Sequence, residues 1–398
     1  MIEQARIKNN LKKLAFPRLS GTEFELKAFN KVKREVEDLK LEYEIQHFTF
    51  SSFYSRIYPK IAFSSGSLIF LILYLNTYIV LSVVLISLLL GVIIASFILT
   101  RKPEKIRFNA KLISQNLIVK IKPISNIVKN NDRIALFMSH LDSKGQRFTI
   151  RIRIRMIKIW IASSIILPFI TILKNLKFIG FEIIFYLIGL VPLIFNLFAS
   201  IIILFNTTDN NSVGAVDNAS GIACNLELLN YYSIPENRLK NYNMWFLFTG
   251  AEECGTIGIR HFYNNLKDFD FDKSIIFNFE SIANHVYLFP GDNGGDHAQD
   301  IDHLLLNNNR DLTIRHFITS RVLGTHSDGG YLGDKGLQGF GIGEVEAYDY
   351  MHTINDTIDK IDTEILKKLC LALTDTLKEH DTNLLRWLKG GDTTTSNL

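Results

Sequence analysis

Asn243–Gly255 reads NMWFLFTGAEECG. Met244 to Phe248 is an unbroken apolar run rich in aromatics, the length of one strand buried on both faces. Thr249 and Gly250 end it, and Glu252 and Glu253 follow side by side. Two adjacent carboxylates at the end of a buried strand repel one another and must be desolvated together, a cost that a nearby cation removes. A solvated acidic loop is the competing reading of this stretch taken alone.

Four other segments end or interrupt apolar runs in the same way. Ile134 to Met138 reads as a buried strand and delivers His140 and Asp142 as an HxD pair. Asp217 lies in VGAVDNASG, a glycine-flanked turn that opens a helix over Asn218 to Tyr231. Glu280 follows the strand Ile275 to Phe279, and His352 sits in YDYMHTINDTID. Two histidines, two glutamates and one aspartate form a mixed nitrogen and oxygen donor set that suits Zn²⁺. One carboxylate shared by two ions, with two further ligands for each, makes a two-metal hydrolytic centre. Asp142 is placed to hold the second ring nitrogen of His140. Singly each element is weak: HxD is commonly structural, and DNASG is commonly a helix cap.

Between these segments the chain alternates strands and helices, which implies an α/β sheet. Amphipathic helices are expected over Ile2 to Leu14, Glu23 to Leu39 and Thr363 to Leu388, and a further helix over Asp300 to Asn307. Further strands are expected over Glu42 to Phe50, Asn116 to Lys122 and Phe340 to Gly343. Gly390 to Leu398 has the composition of a disordered tail.

Two apolar blocks interrupt this pattern. Ile61 to Thr100 carries no charged residue. As a helix it would run roughly 60 Å, twice a hydrocarbon core of about 30 Å, so it reads as two spans with a turn near Asn76 and Thr77. The second block covers Ile159 to Phe205, with Lys158 and Lys174 able to snorkel from a short first span. Ahead of it, Arg151 to Trp160 alternates basic and apolar residues. That pattern suits either a strand with a solvated face or a basic segment at a membrane surface. Buried helices of a soluble oligomer are disfavoured by uncharged runs of this length.

Composition bounds the rest. The chain has 398 residues, 47% of them hydrophobic, and a net charge of +4, which leaves no nucleic-acid footprint in the total. Cys224, Cys254 and Cys370 make no CxxC pair and no disulfide framework; small apolar packing is the expected role of the first two. The N-terminus lacks the apolar core of a secretory signal.

Taken together, HLDSKGQ, VGAVDNASGIACNLELL, FLFTGAEECGTIGIRHF, FNFESIA, THSDGGYLGDKG and MHTINDTIDKID resemble the zinc peptidase family that includes bacterial leucyl aminopeptidases, glutamate carboxypeptidase and glutaminyl cyclase. PRLSGTEFELKAFNKVKREVEDL resembles the family's opening segment. The resemblance implies a mostly parallel sheet with helices on both faces and two zinc ions per chain. It implies His140 and Glu280 on one zinc, Glu253 and His352 on the other, and Asp217 bridging them. Glu252 becomes the general base, taking a proton from a metal-bridging water and passing it to the leaving amine, with Asp142 as its catalytic companion beside His140. Peptides are the implied substrate and N-terminal residues the implied products. A glutaminyl cyclase-like aminoacyltransferase and an inactive peptidase-like scaffold are the alternatives. The chain departs from the family in having Glu280 where many relatives have Asp. Met351 stands where some have an oxyanion-donating Tyr, with Tyr348 and Tyr350 close by. Ser327 and Asp328 read as a substrate-pocket loop, and His285 and His326 as ordinary loop histidines.

His140 and Asp217 must meet at one site although the second apolar block separates them. An insertion into a membrane must therefore return to the side it left. The expected organisation is one discontinuous peptidase domain (1–60, 101–158, 206–389), with transmembrane hairpins at 61–100 and 159–205. Arg56, Lys60, Arg101, Lys102, Lys105, Arg107, Arg151, Arg153, Arg155 and Lys158 flank the blocks on the domain side, against Lys174 and Lys177 on the other. The positive-inside rule then predicts a multi-pass membrane protein, in contact with lipid, with a cytoplasmic catalytic domain.

Overall fold

A computed structural model describes residues 1–106, 108, 111–124, 133–176, 182–266, 269–290, 296–317 and 327–390. Of the expected tail, Gly390 ends the helix Thr363–Gly390, and residues 391–398, Arg107, Lys177 and His326 lie outside the described residues. The chain forms two compact units. The first comprises Met1–Phe50, Leu112–Gly145 and Asn210–Leu398; the second comprises Ser51–Lys111 and Gln146–Asp209.

The first unit is built on eight strands: β1 (Tyr43–Ser51), β2 (Lys111–Ile121), β3 (Ile134–His140), β4 (Asn243–Thr249), β5 (Ile275–Phe279), β6 (Val286–Pro290), β7 (Ile314–His316) and β8 (Gly339–Gly343). They form one mixed sheet in the order β1-β2-β4-β3-β5-β8-β6-β7. The four central strands, β4, β3, β5 and β8, run parallel, while β2 and β6 pair antiparallel to their inner neighbours. Parallel strands need both faces covered, which is why β3, β4 and β5 read as near-continuous apolar runs.

Alternate residues feed two cores. Val119, Phe137, Phe246 and Phe277 point to one face, where they join Leu11, Val32, Leu228, Ile301 and Leu373 from helices Gln4–Leu14, Glu23–Asp38, Gly221–Ser233, Asp296–Asn307 and Thr363–Gly390. Ile118, Leu136, Met138, Leu247 and Ile276 point to the other, against Ile259 and Phe262 of Ile257–Asn264 and Leu332 of Asp328–Gly333. Phe137 stacks on Phe246 and Phe277 with centroids 5.3 and 5.1 Å apart, locking the register across the three middle strands.

Among the described residues the second unit holds four long helices, α1 (Tyr58–Leu75), α2 (Ile79–Thr100), α3 (Ile150–Asn175) and α4 (Glu182–Leu204), besides a single turn at Phe53–Arg56. The break between α1 and α2 falls at Asn76, Thr77 and Tyr78, at the turn expected from the sequence. Arg151 to Trp160 is not a strand. It forms the first turns of α3, whose Thr149 cap accepts the Ile152 N–H at 3.3 Å. By length and composition α1, α3 and residues 183–204 of α4 are apolar enough to cross a membrane.

Inside this unit a polar seam runs between helices. Asn196 accepts from Ser67 Oγ at 2.5 Å and donates to Ser163 Oγ at 2.9 Å and Ser164 Oγ at 3.1 Å, while Trp160 Nε1 donates to Ser67 Oγ at 3.0 Å. Gly66 lets the indole in, since a Cβ there would lie 2.7 Å from it. Lys174 does not snorkel. It is buried and donates to the carbonyls of Tyr74 and, at 2.8 Å, Asn76, the C-terminal end of α1. Trp160 packs near Phe63 and Phe70 while Lys174 meets Tyr74, so α1 and α3 run in the same direction. Asn196 meets Ser67 and Tyr186 meets Tyr74, so α4 runs opposite.

Candidate metal centre

Every expected ligand sits at or just beyond the C-terminal end of a strand or in a loop tied to one. His140 is the last residue of β3, and Glu280 follows β5. Glu252 and Glu253 lie in a tight turn entered through Ala251, which takes a positive φ of 53°. The loop after β8 carries His352. Asp217 lies in the turn that opens Gly221–Ser233, a helix that starts later than its sequence suggests. Asn218 Nδ2 donates to the carbonyl of Phe279 at 2.7 Å and Ile282 N donates to Ser220 Oγ at 3.1 Å, so this turn is fastened to the segment bearing Glu280.

Asp217 stands between the two histidines. Its Oδ1 lies 3.1 Å from His140 Nε2, and its Oδ2 lies 2.8 Å from His352 Nε2. The same nitrogen of His352 is 3.0 Å from Glu253 Oε1. Asp217, Glu253 and His352 are all buried and converge, one donor atom each, within 4.8 Å of one another. One imidazole nitrogen carries at most one proton and cannot satisfy two carboxylates, so this buried convergence fits a cation better than it fits hydrogen bonding. Glu280 is half-buried, held by Asn278 Nδ2 at 2.8 Å, and interacts electrostatically with His140 and Asp217.

The charges sort by environment. Burial opposes ionisation of Glu253, yet His352 and Lys144 outweigh it and bring the group down to about 2; Lys144 Nζ lies 2.6 Å from Glu253 Oε2. Burial likewise opposes Asp217, and His140 and His352 hold it well below the usual carboxylate range. Glu252 goes the other way: burial pushes it well above the ordinary value, and Glu253, Glu280 and Asp328 add to the rise. Burial, Asp328 and Asp217 push Glu280 up to about 8. Two neighbouring glutamates thus split into a group kept ionised and a group of raised proton affinity.

In the surrounding ring, Ser20, Thr249 and Asp356 were not singled out by sequence reasoning. Asp142 was expected to hold the His140 ring. Its backbone carbonyl is the nearer partner of Nδ1, at 3.1 Å, with the carboxylate at 3.5 Å. The carboxylate instead accepts the N–H groups of Glu252 and Glu253, each at 3.1 Å, and Ser20 Oγ at 2.5 Å. Asp356 accepts the N–H groups of Val216 at 2.6 Å and Asp217 at 3.3 Å. Asp356 stands in INDTID, where a turn-forming Asn-Asp pair was the available signal. Ser327 caps Asp328–Gly333, and the buried Asp328 accepts from Thr249 Oγ1 at the end of β4. His285 lies against Glu344, 3.5 Å away. Cys224 and Cys254 are buried among apolar side chains.

Comparisons with known proteins bear on the same residues. The profile of Peptidase family M28 matches residues 197–376, a stretch that holds Asp217, Glu252, Glu253, Glu280 and His352. The zinc peptidase family that the motifs resemble is the family whose profile matches, and over that stretch the chain is similar to its metallopeptidases. No curated protein sequence matches. Among solved structures, an aminopeptidase from Aneurinibacillus sp. strain AM-1 is 13% identical with a TM-score of 0.57, covering 95% of this chain and 94% of its own. A zinc aminopeptidase from Bacillus subtilis is 14% identical with a TM-score of 0.55, covering 96% of this chain and 95% of its own. A glutaminyl cyclase from Fimbriiglobus ruber is 12% identical with a TM-score of 0.55, covering 95% of each chain. At these identities the likeness establishes the fold, a mixed sheet with helices on both faces.

Proposed function

We propose that the protein is a membrane-embedded di-zinc aminopeptidase that removes N-terminal residues from peptides. The observation that carries the reading is the placement of Asp217, one carboxylate oxygen facing each of two histidines. Glu253 and His352 would hold one ion with Asp217, and His140 and Glu280 the other. Zinc bound there supplies positive charge that polarises a carbonyl and acidifies water. Glu252, pushed up by burial and by its acidic neighbours, accepts the proton of the attacking water and returns it to the leaving amine. Tyr348 is half-buried, lies on the loop that carries His352, and interacts with Glu280 and Asp217. Its hydroxyl takes the place of the missing tyrosine before His352 as donor to the developing oxyanion.

The membrane reading rests on the second unit. Its polar side chains point inward, as at Asn196 and Ser67, while Leu68, Ile72, Val80, Ile165, Phe169 and Leu187 are exposed. That pattern suits lipid as the solvent. Two hairpins, α1–α2 and α3–α4, return the chain to the side it left. Arg56 and Lys60 at the start of α1, and Arg155 and Lys158 at the start of α3, share one end of the bundle, so the positive-inside rule makes that end cytoplasmic.

A glutaminyl cyclase-like reading is favoured by one feature: Asp217, Glu253 and His352 alone suffice for a single ion with an open position, while Glu280 is pushed up to about 8. Metal content and hydrolysis, measured on one detergent-purified sample beside Glu252→Gln, decide between the readings. About two zinc ions per chain, and peptide trimming that Glu252→Gln abolishes without losing metal, are expected. One ion per chain with cyclisation of N-terminal glutamine would replace the aminopeptidase reading with the cyclase.

A further inference from the structure

Phe16–Thr22 (FPRLSGT) reads as a surface loop, yet Arg18 is 0% exposed. Arginine is almost never fully buried without a carboxylate partner. Here all five hydrogen bonds of the guanidinium go to backbone carbonyls. Nε donates to Leu141 at 2.8 Å, Nη2 to Gly214 at 2.9 Å, and Nη1 to Phe16 and Val213 at 2.9 Å each and to Leu14. Leu141 directly follows His140, and Gly214 lies three residues before Asp217. Gly214 has a φ of +57°, and a Cβ there would lie 2.9 Å from Arg18 Nη2 and 2.5 Å from Ser143 Cβ. The close approach of guanidinium and backbone therefore requires glycine at this position.

The rest of the loop makes the same kind of contact. Arg18 and Ser143 exchange bonds, Arg18 N to Ser143 Oγ and Ser143 N to Arg18 O, both at 3.0 Å. Ser20 Oγ holds the Asp142 carboxylate that in turn holds the N–H groups of Glu252 and Glu253. Gly21 N donates at 2.6 Å to Glu25, whose other oxygen accepts Ala251 N at 2.8 Å.

We propose that this loop is a working part of the metal centre: Arg18 is a positioning residue that sets the spacing between His140 and Asp217, and Ser20 fixes the acidic turn through Asp142. The proposal rests on the metal-centre reading. A planar fork of five donors can bind two loops at once, and a lysine with its single ammonium cannot replace it. Burial lowers the guanidinium only to about 10, so it stays charged at neutral pH. Its charge acts on Asp356, Asp142, Asp217 and Glu253, offsetting the repulsion among carboxylates that the site must bring together.

The test uses the full chain in detergent, stripped of metal and titrated with Co²⁺, with Arg18→Lys and Ser20→Ala beside the wild type. Visible absorption reports coordination geometry. Circular dichroism and metal-free thermal unfolding report the fold. Arg18→Lys is expected to weaken Co²⁺ binding by roughly 10- to 100-fold and to alter the absorption band, as loss of ligand-orienting contacts does. Ser20→Ala is expected to weaken binding in the same direction and, being a minor change, decides the matter if Arg18→Lys does not fold. Wild-type affinity and spectrum in the folded variants, with only the metal-free midpoint lowered, would make the loop a plain structural staple and overturn the proposal. A wild type that takes up no Co²⁺ would overturn the metal-centre reading itself and this proposal with it.

Discussion

The backbone N–H of Glu252 donates to the Asp142 carboxylate at 3.1 Å, so a residue two places beyond one expected metal ligand orients the turn that carries another. Asp142 accepts from Ser20, Glu252 and Glu253 together. In Asp142→Asn one of these acceptors becomes an NH₂ group that faces donors. The acidic turn then loses a fixed position while every ligand side chain remains. Metal retention on dialysis and peptide hydrolysis are expected to fall together, affinity by roughly 10- to 100-fold. Unchanged metal content in a folded Asp142→Asn variant would show that the turn holds itself.

Tyr348→Phe separates transition-state stabilisation from metal binding. The phenol is raised by burial and by the charges of Glu280 and Asp217, so it lies within electrostatic reach of the candidate centre. Removing the hydroxyl should lower kcat by roughly 10²- to 10³-fold, the usual cost of one oxyanion donor. KM and metal content should stay close to wild type. Loss of metal in this variant would assign Tyr348 a structural role instead.

Much of this architecture was legible because buried parallel strands leave a plain signature. Ile134–Met138 and Met244–Phe248 are apolar without interruption and Ile275–Phe279 is broken only by Asn278, and the polar residues that follow them are the ones at the candidate site. Val286–Pro290 and Ile314–His316 escaped notice because they are short edge-side strands whose pairing depends on tertiary context. Arg151 to Trp160 has strand-like alternation, yet on a helix Arg151 and Arg155 stay exposed while Arg153 is half-buried. Lys174 was expected to reach for solvent, but the carbonyls at the end of α1 offer it acceptors inside the bundle. The roles of Arg18 and Asp356 stayed hidden for a shared reason, although Asn355-Asp356 signals a turn: their hydrogen-bond partners are backbone groups, which look the same in every sequence.

The second unit offers a test of its own packing. Asn196 is buried, and its side chain joins Ser67 to Ser163 and Ser164 across three helices. In lipid or detergent such a bond is worth about 1 kcal/mol, because the loosened helices find other partners. Asn196→Leu should therefore lower stability by about 1 kcal/mol in a denaturing-detergent titration and leave metal content intact. Gly66→Leu, which drives a side chain into the Trp160 ring, should cost more. Equal tolerance of both changes would mean that α1 and α3 do not pack closely around Trp160.

His380 gives the first unit a pH dependence independent of any metal. Its ring is buried against Tyr242, with Nδ1 3.2 Å from the phenol oxygen. Burial, reinforced by His297, lowers it to about 4 from an ordinary 6.5, against weaker pulls upward from Asp300 and Asp381. The unfolded chain takes up this proton near pH 6.5, whereas the folded protein resists it until about pH 4. The unfolded state thus binds more protons throughout that window, and stability rises with pH across it. The contribution is complete above 6.5 and is lost as the pH falls toward 4, on the order of 3 kcal/mol at full extent. Glutamine at this position does not titrate and can still bond to Tyr242. Unfolding midpoints of His380→Gln should therefore fall less steeply on acidification than those of the wild type. Parallel curves for the two proteins would show that His380 takes up its proton in the folded state as readily as in the unfolded chain.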